Sequence, residues 1–279
     1  MLTSRALLVP HLPTLLVDEH RGHRTEMVEA LASASERLLL ETPAAAVVLS
    51  ARWEVDGPFL VDTGRLHRTI TDYTGFGVEV RYDCAGHPAL ARTLVESGER
   101  SGLHVAPTER GVDSGVTVPM HFLVRARNLR VVPLSLARRS VEDCRAWGRS
   151  LRVVLEGWKE RVAFIVGGML SFNQHAWSLK REVPESRELD ERTLAALRAG
   201  DWAALSTGHQ RLLEQARPEA ALRHLEVMRG FLSGDVPGAV LCYEAGPGVG
   251  AALVEFGLAD AVPGGGQAES GRQGRPGPT

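Results

Sequence analysis

Cysteine is scarce and follows no pairing pattern. Cys84, Cys144 and Cys242 are far apart with no Cys-x-x-Cys spacing. That argues against a zinc knuckle or a disulfide framework and suits a reducing, cytoplasmic setting. Lysine is nearly absent, with Lys159 and Lys180 the only two. Charge of one sign is missing too, since 32 basic residues face 34 acidic ones for a net charge of −2. No positive excess exists to neutralise a phosphate backbone, so no nucleic-acid partner is expected. Long apolar runs are lacking as well. The first one ends at Pro10 after four residues, too short for a signal-peptide core, and none approaches the length of a membrane span. Secreted, membrane and fibrous classes are therefore not expected. Neither Gly-x-Ser-x-Gly nor His-Glu-x-x-His occurs.

What is present fits a soluble globular chain. The 279 residues are 44% hydrophobic and 24% charged, enough for one large core. Short apolar runs alternate with helical periods. Ala6–Val9, Ala45–Ser50, Arg130–Leu134 and Val162–Val166 read as strands covered on both faces. Residues 24–41, 88–99 and 141–155 read as helices, followed by three more over 187–199, 201–216 and 218–232. Two last strands cover 239–243 and 251–256, joined by a glycine turn at Gly246-Pro247-Gly248-Val249-Gly250 that lacks the Lys-Ser/Thr of a phosphate loop. Strand, helix, strand over 130–166 is a crossover unit. The prediction is a single α/β domain over 1–256, with a mixed, largely parallel sheet and helices on both faces. Residues 257–279 are Gly, Pro and polar residues without apolar period, and read as a disordered tail.

In open α/β sheets reactive groups gather at the carboxyl ends of strands. Four segments are read as strand ends here: Val9-Pro10-His11, Ser50-Ala51-Arg52-Trp53, Val112-Asp113-Ser114-Gly115 and Gly168-Met169-Leu170-Ser171-Phe172-Asn173. Pro10 and Pro13 fix the backbone around His11 and aim its imidazole, which suits a ligand or a base. His175 lies near the last of these tips. His20, His23, His67, His104 and His209 have no partner at metal-ligand spacing and read as surface residues.

In order and spacing these segments resemble the class III extradiol ring-cleavage dioxygenases, the superfamily of the protocatechuate 4,5-dioxygenase beta subunit. The resemblance runs over about 5–256. It rests on Pro10-His11-Leu12-Pro13, Ser50-Ala51-Arg52-Trp53, Asp72-Tyr73-Thr74-Gly75-Phe76-Gly77, Asp113-Ser114-Gly115 and Gly168 to Asn173. It closes with Leu189-Asp190, Gly200-Asp201, Tyr243-Glu244 and Gly248-Val249-Gly250. It implies a helix-flanked mixed sheet, dimers or larger assemblies, and Fe(II) held by two His and a third ligand, with open positions for a catechol and O2.

Residue by residue the match is incomplete. His11 fits the first ligand. The second, a His in the family's Ser-x-His-Trp, is Arg52. The family's Asp-His-Gly is Asp113-Ser114-Gly115, and its Leu-Ser-His is Leu170-Ser171-Phe172. Glu226 falls near the carboxylate ligand of some branches. An arginine about 4–5 Å from a divalent ion, at an effective dielectric of about 20, is repelled by roughly 7 kcal/mol. The chain alone is therefore expected not to hold Fe(II) in the family's usual place, His11 and Glu226 being the metal candidates that remain. Arg52, Ser114, Phe172 and His175 are the other cleft positions. One expectation is a non-catalytic paralogue that stabilises a homologous catalytic subunit or a homo-oligomer. Another is a small-ligand site in which His11 and Arg52 clamp an aromatic carboxylate or other anion. A third is a ring-opening enzyme with a relocated site built from His11, His175 and Glu226.

Overall fold

The computed structural model describes residues 1–124, 129–205 and 210–258. The elements in chain order are β1 (Leu2–Val9), α1 (Pro13–His20), α2 (Glu26–Leu40), β2 (Ala45–Val55), β3 (Phe59–Asp62), β4 (Leu66–His67), β5 (Cys84–Ala85), α3 (Pro88–Arg100), β6 (Val105–Thr108) and α4 (Ser114–Val124). They continue with β7 (Arg130–Ala137), α5 (Val141–Gly157), β8 (Val162–Gly167), α6 (Gln174–Ser178), α7 (Pro184–Ala199), α8 (Gln210–Ala216), α9 (Arg223–Leu232), β9 (Gly238–Gly246) and β10 (Val249–Gly257).

Eight strands form one sheet in the order β6-β3-β7-β2-β8-β1-β10-β9, and β4 pairs with β5 apart from it. The central pairs β7–β2, β2–β8 and β8–β1 are parallel, as is β3–β6, while β3–β7, β1–β10 and β10–β9 are antiparallel. The expected α/β class and mixed sheet are what is found.

Alternation along the strands explains why the sheet is covered twice. Ala6, Leu8, Val47, Leu49, Phe164 and Val166 belong to one buried cluster with side chains of α3, α5, α7 and α9. Leu7, Val9, Ala46, Val48, Ala163 and Ile165 belong to a second with α1, α2 and α4. Neighbouring residues on a strand point to opposite faces, so a continuous apolar run feeds both layers. Among the described residues no helix is long and apolar enough to cross a membrane.

Three sequence expectations change. Ser50-Ala51-Arg52-Trp53 does not end a strand but lies within β2, which continues to Val55. Val112-Asp113-Ser114-Gly115 does not end a strand. It opens α4, an apolar helix that is buried along almost its whole length. The helix expected over 218–232 is broken near its start. Ala220, Ala221 and Leu222 hold left-handed φ values of 49, 51 and 60°, and the α-helix begins only at Arg223. The expected tail lies outside the described residues except for Gly257 and Leu258.

Candidate functional site

Register brings the strand tips together. Val9 of β1 and Ser50 of β2 both stand opposite Gly167 of β8, so β1 and β8 end side by side against β2, which runs on to Val55. The loop after β8 is tied to its surroundings by its backbone. Gly168 N–H donates to Val9 O (3.0 Å), Leu170 N–H to Gly250 O (3.0 Å) and Phe172 N–H to Arg217 O (3.1 Å). Close approach restricts this corner to glycine. A Cβ on Gly167 would collide with the Gly115 carbonyl at the start of α4, and one on Gly168 would stand 2.8 Å from His224 Cδ2.

His11 is 1% exposed. Its Nε2 meets both carboxylate oxygens of Glu219, at 2.8 and 2.9 Å. Glu219 Oε2 also accepts the Met169 N–H at 2.7 Å. The Glu219 N–H donates to Leu170 O at 2.9 Å, which fixes residue 219 against the loop after β8. The left-handed run at 220–222 then turns the chain so that His224 is buried against Gly168. Such a run costs about 1–2 kcal/mol per residue. Burial of Leu222 and of the His11–Glu219 contact accompanies it.

The charges follow from burial. Burial works to raise the Glu219 carboxyl, but the His11 charge and hydrogen bond, the His224 imidazole and the Met169 N–H together bring it below the ordinary carboxylate value. His224 is pushed down to about 4, chiefly by burial, against an opposing pull from Glu219. At neutral pH it is an uncharged imidazole, and among the described residues neither of its ring nitrogens has a hydrogen-bond partner.

The other expected residues are placed differently. Arg52 is exposed, and its guanidinium lies over the Phe172 ring, 5.2 Å from the centroid. The cation therefore sits on the rim in contact with water rather than walled in beside His11, because burying it unpaired would cost several kcal/mol. Phe172 reaches inward to His11, edge to face at 5.6 Å. Ser114 is buried at the first position of α4. Polar contacts at that corner belong to Asp113, whose Oδ1 accepts Ser50 Oγ–H (2.7 Å) and whose Oδ2 accepts an Arg110 N–H (2.9 Å). His175 is exposed on α6. Glu226 engages Arg145 of α5 at 2.6 Å. The carboxylate that meets His11 is thus Glu219, seven residues earlier. His67, expected at the surface, is buried against Asp62 and hydrogen-bonded to Val131 O.

The family model for the catalytic LigB subunit of aromatic ring-opening dioxygenase matches residues 5–254. This chain belongs to the LigB family. It is also 29% identical, over 129 residues, to a 4,5-DOPA dioxygenase extradiol of Beta vulgaris; the match covers 44% of this chain and 46% of that protein. The chain therefore matches less than half the length of that relative. The crystal structure of an uncharacterized protein from Escherichia coli K12 shares the fold, with a TM-score of 0.69 and 19% identity over 91% of this chain and all of that one.

LigB-family enzymes are typically Fe(II)-dependent, so the donor set can be tested against that ion. The donors here are the His11 imidazole and the Glu219 carboxylate, bonded to each other, and the uncharged imidazole of His224 buried beside Gly168. Position 52 offers a guanidinium, which has no lone pair for a metal. Among the described residues no three His, Cys, Asp or Glu side chains are grouped to hold an ion. At position 52 the donor set differs from the one the resemblance implies. Glu219 and His224 carry no signal in the sequence, because Ala-Ala-Leu favours a continuous helix, and a continuous helix does not bring residue 219 to His11.

Proposed function

We propose that this LigB-family chain has left ring-opening chemistry and acts as a non-catalytic paralogue, a cytoplasmic subunit that stabilises a homologous catalytic subunit or a homo-oligomer. One observation carries the reading: the first-ligand imidazole, His11, is bonded through Nε2 to both oxygens of Glu219, while the second-ligand position holds Arg52 on the rim. The buried carboxylate is therefore hydrogen-bonded to the protein's own imidazole. The resemblance sets Ser114 and Phe172 at the positions of two further imidazoles, and neither offers a base that titrates near neutral pH. Family membership supports retention of the scaffold.

The test is direct. Purified chain, reconstituted anaerobically with Fe(II), is assayed for bound iron and for catechol ring opening. The wild type is expected to retain no stoichiometric iron and to open no ring. Arg52→His, which returns an imidazole to the second position, is expected to raise divalent-ion uptake. Stoichiometric iron in the wild type, lost in His11→Ala, would overturn the reading.

A further inference from the structure

The two edges of the main sheet are finished differently. β6 is four residues long and carries Pro107, which has no N–H to offer a further strand. β9 runs for nine residues, and among the described residues its backbone pairs with β10 and with no other element. Its single charged side chain, Glu244, is turned aside to accept the Met27 N–H at 3.1 Å. The exposed side chains along it are Ala239, Leu241 and Ala245. Leu241 sits in a bulge, without a partner on β10, and is 36% exposed. A free edge of this length, apolar and without lysine or proline, is a template for another strand.

Helix α7 decides which strand fits. It runs antiparallel to β9 along the whole strand. Val183 and Arg187 at its start share a small cavity with Ala245 and Gly246. Asp190 at its middle accepts the Tyr243 hydroxyl, and Gly200 just past its end lies against Asp235 and Pro237. Asp190 also presses on Gly250, so the helix lies over the β9–β10 pair. Its exposed charges are divided. The first half shows Glu188 and Glu191 beside Arg187, and the second shows Arg192 and Arg198 with no acid. Two copies of β9 paired antiparallel about a two-fold axis set α7 antiparallel to its own copy, acidic half on basic half. Strands lie about 4.8 Å apart, so a helix seated over the outer pair comes to about 10 Å from its copy, an ordinary helix-packing distance. We propose that β9 is the contact edge between two copies of this chain, paired antiparallel about a two-fold axis near Leu241, so that the two sheets become one and α7 packs on its copy. The inference rests on the non-catalytic reading in one respect: it narrows the structural role proposed there to a homodimer through this edge.

The experiment is analytical sedimentation of the full chain over a range of concentrations, with metal content measured on the same sample. The wild type is expected to sediment at twice the chain mass. Leu241→Lys sets two like charges across the axis and is expected to weaken the dimer at least ~10-fold, with an unchanged far-ultraviolet spectrum. Glu188→Arg with Glu191→Arg is expected to weaken it several-fold at low salt. Adding Arg192→Glu and Arg198→Glu is expected to restore it, because the two halves of α7 then exchange signs. Cys84, Cys144 and Cys242 are buried, so an introduced thiol reports alone. Leu241→Cys is expected to give a disulfide-linked dimer on mild oxidation, and Val153→Cys, exposed on α5, is not. The proposal is overturned if the wild type is a monomer, if Leu241→Lys leaves the dimer as tight as before, or if the fourfold charge exchange fails to restore it. Stoichiometric iron in a dimer that Leu241→Lys splits would overturn the non-catalytic reading and leave this interface standing. An iron-free monomer that assembles only with a homologous catalytic subunit would do the reverse.

Discussion

Removing the His11 imidazole tests the centre of this molecule most sharply. In His11→Ala the Glu219 carboxylate stays buried, with the Met169 N–H as its remaining strong donor. Breaking one side of a buried ion pair costs about 3–5 kcal/mol, mostly the penalty of the stranded charge. For a protein of this size 1 kcal/mol corresponds to about 2–4 °C, so the expected fall in melting temperature is about 10 °C. The informative step is the second substitution. Glu219→Gln placed on His11→Ala removes the stranded charge while keeping a carbonyl for the Met169 N–H. The double variant is therefore expected to regain about 2 kcal/mol over His11→Ala alone. Urea unfolding monitored by tryptophan fluorescence, with identical slopes for all variants, measures each value. The reasoning is refuted if His11→Ala costs less than about 1 kcal/mol, or if the two substitutions simply add their losses.

Two further predictions concern neighbouring residues. Asp190 accepts the Ser171 N–H and Oγ–H (both 2.8 Å) and the Tyr243 hydroxyl (3.0 Å), and burial lifts its carboxyl from 3.8 to about 6 against those bonds. The folded state thus binds this proton more tightly than the unfolded chain. The stabilisation is complete below pH 4 and is lost as pH rises through 6, a change of about 3 kcal/mol. Asp190→Asn is expected to gain stability relative to wild type over that window, and a pH-independent difference would contradict the assignment. Gly168→Ala would put a methyl group 2.8 Å from His224 Cδ2 and 3.4 Å from the Ala51 Cβ. The expected loss is about 1–3 kcal/mol, largely relieved in combination with His224→Ala; equal losses in the single and double variants would show that the crowding lies elsewhere.

Part of this was legible in the chain itself. Continuous apolar runs at 45–50, 130–134 and 162–166 specify central strands because alternate residues must bury on both faces, and the structure finds β2, β7 and β8 there. The glycine turn between the last two strands was legible too, with Gly248 at φ 68°. His11 was marked by its prolines, and it is the buried imidazole at the end of β1. Helix α4 was not legible at its start, because Asp113-Ser114-Gly115 after a valine reads as a strand ending in a turn. Its apolar length has little amphipathic contrast, being buried almost all round.

The pairing of His11 with Glu219 lay beyond any local pattern. It spans 208 residues of sequence, and it depends on a left-handed turn through Ala220, Ala221 and Leu222, residues that favour an ordinary helix. Local preference decides such a segment until burial outweighs it, and only the packed loop after β8 supplies that burial. The direction of Arg52 was settled in the same way. The sequence determined that a cation stands at position 52, but the cost of burying a lone charge decided that it rests on Phe172 in contact with water.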